Sequence, residues 1–187
     1  MPDTENTALS PEVEEMVGVT GEVVKCWGVV DREYLRRFAQ AVMDPDPRYW
    51  DDDFCKTTPY GEIIVPPIMV SYFPNRVPQS EEDSITVGFQ KNANFDGFSG
   101  VKRAGELPGI PTDLVRILNA GNELEIYMYP SLGDTIFFQN KYSDIKERIG
   151  RDGKPFLIVT VETTFKNQDS QVLCVTRAST VSYTHLR

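Results

Sequence analysis

The sequence VDREYLRRFAQAVMDPDPRY, residues 30–49, joins a helical pattern directly to a turn that contains two prolines. Asp31 is a suitable helix N-cap, and the apolar residues behind it share the spacing of one helix face: Leu35, Phe38, Ala39 and Val42. Pro45 and Pro47 each disfavour helical geometry in the residue before them, so the helix must end at about Met43. We therefore expect the helix to open onto a rigid, extended overhang, residues 44–49.

The rest of the chain predicts one buried helix and an antiparallel sheet. Residues 61–67 lead into a nearly all-apolar run, 68–73, with two prolines at its front, where a helix tolerates them. Residues 74–110 are rich in Pro, Gly, Asn and charge, which predicts an irregular flap. Five segments have the composition of strands: 23–30, 124–129, 135–142, 156–165 and 172–181. The expected fold class is α+β, with the sheet wrapped around a long central helix.

Composition and charge limit the classes of function. The 187 residues, 40% hydrophobic and 25% charged, are typical of one globular domain with a sizeable core. A formal net charge of −9 disfavours nucleic acid and anionic membranes as partners, because both require a basic surface. Three widely spaced cysteines without a CxxC pair predict neither a disulfide framework nor a zinc site, and they fit a cytoplasmic protein. No pattern indicates secretion or a membrane span.

Both ends of the chain differ from its middle. Residues 1–20 are polar and acidic and predict a flexible arm, which leaves 21–181 as the single domain. Residues 182–187 contain the only histidine, His185, and resemble translated adaptor read-through in fragmentary gene models. We expect this tail to be non-native and the chain to be truncated. The alternative is a native strand end with an exposed histidine.

Four segments together resemble the N-terminal, fungal-fatty-acid-synthase-like dehydratase domain of the MaoC family. They are VDREYLRRFAQAVMDPDP at 30–47, GEIIVPPIMV at 61–70, ELEIYMYPSLGD at 123–134 and GKPFLIVTVETTFKNQDSQVLCVT at 153–176. The resemblance spans about 29–181 and implies a hot-dog fold. It also implies the family's reaction, the reversible addition of water to 2-enoyl thioesters, carried on coenzyme A or acyl carrier protein, to give (R)-3-hydroxyacyl thioesters.

The family's catalytic motif, GDxNPxH, overlies the helix end and the overhang with its histidine missing. Asp44 and Pro47 match the motif, whereas Met43, Asp46 and Tyr49 replace its Gly, Asn and His. The resemblance implies Asp44 and Tyr49 as a degenerate catalytic pair. A phenol with a pKa of about 10 exchanges protons poorly at neutral pH, where an imidazole of about 6.5 does so readily. If the resemblance is set aside, the residues alone indicate that Asp44 is a turn residue and that Tyr49 is a packing residue.

The resemblance further implies a dimer of two hot-dog halves, a homodimer or a heterodimer, with the thioester tunnel between them. A half without histidine then binds the acyl chain, and the second half supplies Asp and His. The candidate acyl contacts lie on the predicted central helix: Met69, Tyr72 and Phe73. The candidate contacts to coenzyme A phosphates are basic: Lys141, Lys146, Arg148, Arg151 and Lys154.

Plainer interpretations exist for both sets of residues. The apolar residues suit a core, and the basic ones suit a solvated hairpin. Coenzyme A is expected as a substrate carrier, with no separate cofactor. No metal is expected either, because Asp51, Asp52 and Asp53 are interpreted as solvated carboxylates.

Two other functions stay open. A non-enzymatic acyl-CoA-binding or scaffold domain would recruit a partner module, such as a zinc ribbon with an OB fold. A hot-dog thioesterase would share the fold, but the overhang resembles a hydratase site more closely.

Overall fold

The computed structural model describes residues 7–74, 84–94, 105–114 and 116–183. Its framework is a five-stranded antiparallel sheet with the strand order β1-β3-β4-β5-β2, so that β1 and β2 form its two edges. The strands are β1 (Val24–Val29), β2 (Arg116–Ile126), β3 (Thr135–Ile149), β4 (Pro155–Lys166) and β5 (Val172–Tyr183). The helices are α1 (Pro11–Glu14), α2 (Arg32–Ala41), α3 (Asp52–Lys56) and α4 (Ser84–Lys91), with 3-10 helices at Pro47–Tyr49 and Pro67–Tyr72.

Helix α2 forms as its sequence predicts. The carboxylate of Asp31 accepts a hydrogen bond of 2.7 Å from the backbone N–H of Tyr34, which satisfies one of the open donors at the helix start. Leu35 and Ala39 face the core and are buried. The helix ends at Ala41, two residues before the predicted end at Met43.

The predicted long central helix is a short 3-10 helix in the part of the chain that is described. Pro67–Tyr72 carries Met69 and Val70 into the core, where they pack in one cluster with Phe138 and Phe165 of the sheet. Its backbone bonds span three residues, as in Met69 N–H to the carbonyl of Pro66 at 2.9 Å. The apolar run is therefore buried as predicted, but the helix type and length were wrong for these residues.

The prediction of a flexible arm at 1–20 is wrong for residues 7–20. Val13 of α1 is buried in a second cluster with Tyr142, Leu157 and Val159, on the same face of the sheet as the first cluster. The N–H of Gly18 donates to the carbonyl of Tyr142 at 2.8 Å, and the N–H of Tyr142 donates to the carbonyl of Val19 at 3.0 Å. This N-terminal segment, residues 7–21, thus extends the edge that β1 begins. The composition of this segment did not predict its packing, because most of its few apolar side chains are needed for the contact with the second cluster.

Two features of the strands differ from the prediction. Strand β3 continues to Ile149, well beyond the predicted end at Tyr142. Strand β5 includes Ser182 and Tyr183, which pair with β4 and β2, so the predicted tail starts two residues too early. Residues 184–187, with His185, lie outside the described residues. The predicted hairpin turn at 167–170 is confirmed, and the N–H of Ser170 donates to the carbonyl of Asn167 at 3.1 Å.

The predicted flap at 74–110 contains a helix. Ser84–Lys91 forms α4, while 75–83 and 95–104 lie outside the described residues. Within the described ranges, no helix is long and apolar enough to cross a lipid bilayer.

Candidate active site

The end of α2 fixes where the overhang begins. The N–H of Asp44 donates to the carbonyl of Ala39 at 3.0 Å, and the N–H of Met43 donates to that of Gln40 at 3.2 Å. This pair of bonds is a Schellman motif, which requires a left-handed residue just past the helix. Met43 takes that role with φ 55°, in the position where the dehydratase motif has glycine. Glycine, the motif residue at this position, adopts this backbone conformation more easily than methionine does.

Met43 should therefore cost stability. A side chain in the left-handed region is disfavoured by about 1 kcal/mol, and the Met43 side chain is 87% exposed, so it contributes little packing in return. We expect Met43→Gly to raise the free energy of unfolding by about 0.5–1 kcal/mol in urea titrations. Met43→Ala, which keeps the Cβ, is the matched control and should not stabilise. An equal gain from both variants would contradict the backbone explanation.

Acidic side chains shape the overhang itself. The carboxylate of exposed Asp44 accepts a hydrogen bond of 3.1 Å from the N–H of Asp46, which is the geometry of an Asx turn. Asp46 caps the following 3-10 helix by accepting from the N–H of Arg48 at 2.9 Å. The Arg48 guanidinium also binds this carboxylate, and that contact holds the pKa of Asp46 below its usual range. Asp46 thus stays ionised and only accepts hydrogen bonds, whereas the amide of the motif's asparagine can donate.

Tyr49 stands where the motif has its histidine. Its ring is partly buried against the first core cluster. Burial raises the pKa of Tyr49, and the neighbouring charges of Asp44 and Asp46 raise it further. The phenol therefore stays protonated at neutral pH, where it can donate a hydrogen bond but cannot take a proton from water. Asp44 and Tyr49 are therefore close enough to interact electrostatically.

The overhang is fastened to the segment that follows β2. The carbonyl of Arg48 accepts from the N–H of Ile64 at 3.2 Å, and Ile64 forms an isolated bridge with Ser131. One residue on, the N–H of Val65 donates to the carbonyl of Pro130 at 3.2 Å. These bonds hold the overhang to the segment that runs from β2 to β3.

The three candidate acyl contacts have different environments. Met69 and Phe73 are buried in the first core cluster, where they serve the core. Tyr72 is 51% exposed and packs edge-to-face on Phe38, with 5.4 Å between the ring centroids. Of the three, only Tyr72 presents a large surface to a ligand.

The candidate basic residues do not join the overhang on one chain. Lys141, Lys146 and Arg148 lie on the outer face of β3, opposite the face that packs on the cores. Arg151 and Lys154 belong to the turn after β3. Lys146 lies eight residues beyond Phe138 along β3, roughly 26 Å at 3.3 Å per residue. The described contacts do not connect the overhang with these basic residues.

The comparisons identify the family. A family model described as "FAS1-like, dehydratase domain region" matches residues 16–176. The chain belongs to this family. A curated relative, a UPF0336 protein of Streptomyces avermitilis, is 46% identical over 41 residues, which are 22% of this chain and 27% of that protein. The match to this relative thus covers about a quarter of its length.

Solved structures show the same fold for this FAS1-like dehydratase domain. The ChsH1-ChsH2 complex from Mycobacterium tuberculosis gives a TM-score of 0.66 at 12% identity, covering 94% of this chain and 91% of that one. A MaoC-like dehydratase from Rhodospirillum rubrum gives a TM-score of 0.56 at 16% identity, covering 91% of this chain and 94% of that one. The HadBC (3R-hydroxyacyl-ACP dehydratase) complex from M. tuberculosis gives a TM-score of 0.55 at 15% identity, covering 89% of this chain and 97% of that one. The protein is thus a FAS1-like dehydratase domain with the hot-dog fold of these MaoC-like structures, as the sequence predicted.

Aspartates after the overhang have structural partners in this dehydratase domain. Asp51 caps α3 by accepting from the N–H of Phe54 at 2.9 Å. Asp52 binds Arg32 at 2.7 Å, and Asp53 binds Lys56 at 2.8 Å. Within the described ranges, no group of three potential ligands is placed to hold a metal ion.

Sequence reasoning missed two residues of the site. Arg48 pairs with Asp46, and the charge of Arg48 also acts on Tyr49 and Tyr129. The Asp-Pro-Arg order in a turn is a local signal for the Arg48 pair. Tyr129 lies three residues beyond the end of β2, and no local pattern connects it with the overhang of this dehydratase domain.

Proposed function

We propose that this domain is the acyl-thioester-binding half of an (R)-specific enoyl-CoA hydratase or (R)-3-hydroxyacyl dehydratase, and that a second hot-dog half supplies the catalytic Asp and His. The observation that carries the proposal is Tyr49, a protonated phenol in the histidine position of an otherwise well-placed overhang. Hydration of a conjugated thioester needs one group to take a proton from water and another to protonate the α-carbon. Asp44 alone does not provide both.

Two observations support the proposal that a second hot-dog half completes the site. The ChsH1-ChsH2 and HadBC structures, which share this fold, are complexes of different chains. In this protein the overhang is fastened beside the end of β2, an edge strand whose residues are all exposed. A half that docks on β2 would lie next to the overhang and complete the site.

Coenzyme A is the proposed carrier. The net charge of −9 would repel an acidic acyl carrier protein. Tyr72 is the proposed acyl contact, because it is exposed and held by Phe38. The basic residues of β3 lie on the outer face of the sheet, so they meet coenzyme A phosphates only if the ligand reaches that face.

The experiment measures hydration of crotonyl-CoA by the isolated chain, and by the chain with a co-purifying hot-dog subunit that has an intact GDxNPxH motif. We expect no hydration above background for the chain alone and clear hydration for the pair. In the pair, Asp44→Asn should change the rate by less than about threefold, because a lost acid/base role costs about 10²–10⁴-fold. Replacing the aspartate of the partner's motif should abolish activity.

Asp53→Asn is the matched control, since Asp53 is an exposed aspartate bound to Lys56 and away from the overhang. Substantial activity of the isolated chain that Asp44→Asn removes, and Asp53→Asn does not, would overturn the proposal of an incomplete half. Binding of crotonyl-CoA without hydration by any pair would instead indicate the non-enzymatic acyl-CoA-binding domain.

A further inference from the structure

A pocket opens where the outer face of β3 and β4 meets the hairpin turn at 167–170. Its volume is about 320 Å³, at the lower end of the range for small-molecule sites. Phe137 and Val23 give it an apolar wall, and Thr164, Lys166 and Ser170 give it polar groups. Among the described residues, those of the overhang do not line it, so the pocket is separate from the candidate active site.

The strand register places two lysines on either side of the aromatic wall. Phe137 pairs with Lys25 of β1 on one side and with Lys166 of β4 on the other. Side chains that are directly opposite in an antiparallel pair share a face, so both lysines flank the ring on the outer face. Strands β1 and β4 are second neighbours in the sheet, which sets the two lysine backbones roughly 10 Å apart.

These two cations are available to a ligand. In the described ranges, neither lysine has an ion-pair partner. Other cations on the outer face do: Lys146 binds Asp144. Arg177 likewise binds Glu162 at 2.8 Å. The chain has a net charge of −9, so two uncompensated lysines beside one pocket give that pocket a local attraction for anions.

The hairpin wall of the pocket is preformed. The side-chain amide of Gln168 donates to Asp134 at 3.0 Å and accepts from the N–H of Thr135 at 2.9 Å. These bonds tie the hairpin to the start of β3. The hydroxyls of Thr164 and Ser170 have no hydrogen-bond partner in the part of the chain that is described, so they can donate to a ligand.

We propose that this pocket binds a mononucleotide, with the base stacked on Phe137 and the phosphate groups bound by Lys25 and Lys166. A base stacks on an aromatic side chain through its flat face. Lysine binds phosphate as a point charge, and two separated lysines favour a ligand with more than one negative charge. The inference goes beyond the proposed function, because it assigns a second site that does not use the overhang. A free nucleotide and the nucleotide part of coenzyme A share this chemistry.

The test measures binding of adenosine 3′,5′-bisphosphate to the full chain by isothermal titration calorimetry at low ionic strength. We expect Lys25→Gln and Lys166→Gln each to weaken binding by about threefold, and the double variant by about tenfold. Phe137→Leu, which keeps an apolar side chain but removes the ring, should weaken binding by about fivefold or more. Circular dichroism checks the fold. Lys25 and Lys166 are exposed, so their variants test the inference even if Phe137→Leu unfolds.

A matched control separates the pocket from net charge. Lys56→Gln removes the same charge on α3, where Lys56 is bound to Asp53 at 2.8 Å and does not line the pocket. It should leave the affinity for the bisphosphate unchanged. Absence of binding by wild type, or an equal loss in Lys56→Gln and in the two pocket lysine variants, would overturn the inference. Binding that a folded Phe137→Leu variant retains in full would overturn it as well.

A parallel titration with coenzyme A distinguishes the two sources of the nucleotide. Tighter binding of coenzyme A than of the bisphosphate, with the same losses in the lysine variants, supports the site and identifies coenzyme A as its ligand. Equal affinities support the site and identify a free nucleotide. None of these titrations measures hydration of crotonyl-CoA, so the proposed function is judged separately.

Discussion

Hydration of crotonyl-CoA by the isolated chain should rise by about 10²-fold or more when Tyr49 is replaced by histidine. Tyr49 lies close enough to Asp44 for the carboxylate to raise its pKa, so an imidazole at this position would lie next to the same charge. The carboxylate would favour the protonated imidazole and keep the pKa of the histidine in the range that neutral-pH catalysis requires. The backbone of the overhang already has the left-handed turn at Met43 that the motif needs.

Two further variants show whether the gain comes from an acid/base pair. Asp44→Asn in the Tyr49→His background should remove it. Tyr183→His introduces the same side chain at the far end of β5 and should leave the isolated chain inactive. If the folded Tyr49→His protein is no more active than wild type, the proposal that this half lacks activity because it lacks the histidine is contradicted. Rates are measured as loss of the enoyl-thioester absorbance.

The largest loss of stability is expected from Met69→Ala. Met69 is 0% exposed and packs in the cluster that joins the central 3-10 helix to β3, β4 and β5. Removing its side chain leaves a cavity between these elements, and comparable substitutions cost about 2–5 kcal/mol. Urea unfolding should show a lower midpoint with an unchanged slope, since the surface exposed on unfolding is nearly the same.

The neighbouring residue provides the control. Ile68 is on the same 3-10 helix but is 41% exposed, so Ile68→Ala should cost no more than about 1 kcal/mol. Equal losses of unfolding free energy for the two variants would mean that the short helix does not pack on the sheet as the structure shows. Loss of cooperativity in Met69→Ala, seen as a lower slope, would mean that the first cluster and the second cluster unfold separately.

The part of the fold that depends on local chemistry was predictable from the sequence. The cap at Asp31 and the prolines of the overhang act within a few residues, and the structure has α2 and the turn where they require them. The hairpin turn at 167–170 is similarly local. The resemblance to the family then predicted that these elements form a hot-dog fold. The family is confirmed by the matching family model.

Features that depend on distant contacts were not predictable. Val13 is buried because β3 and β4 supply a surface for it, and nothing near Val13 in sequence indicates that surface. Likewise, charge clustering in the sequence grouped Lys141 with Arg148, but the alternation of strand residues sends them to the outer face.

The attachment of the N-terminal segment has a consequence for synthesis on the ribosome. Thr7 donates to Glu147 across 140 residues of chain, and within the described residues β2 pairs with β5 alone, a strand that is synthesised after β3 and β4. The N-terminal segment therefore cannot pack until β3 and β4 have been synthesised. Strand β2 likewise cannot pair until β5 has left the exit tunnel. Contacts of such long range slow folding, because loop closure precedes any gain from burial. A nascent chain of this protein therefore exposes β2 until β5 has been synthesised.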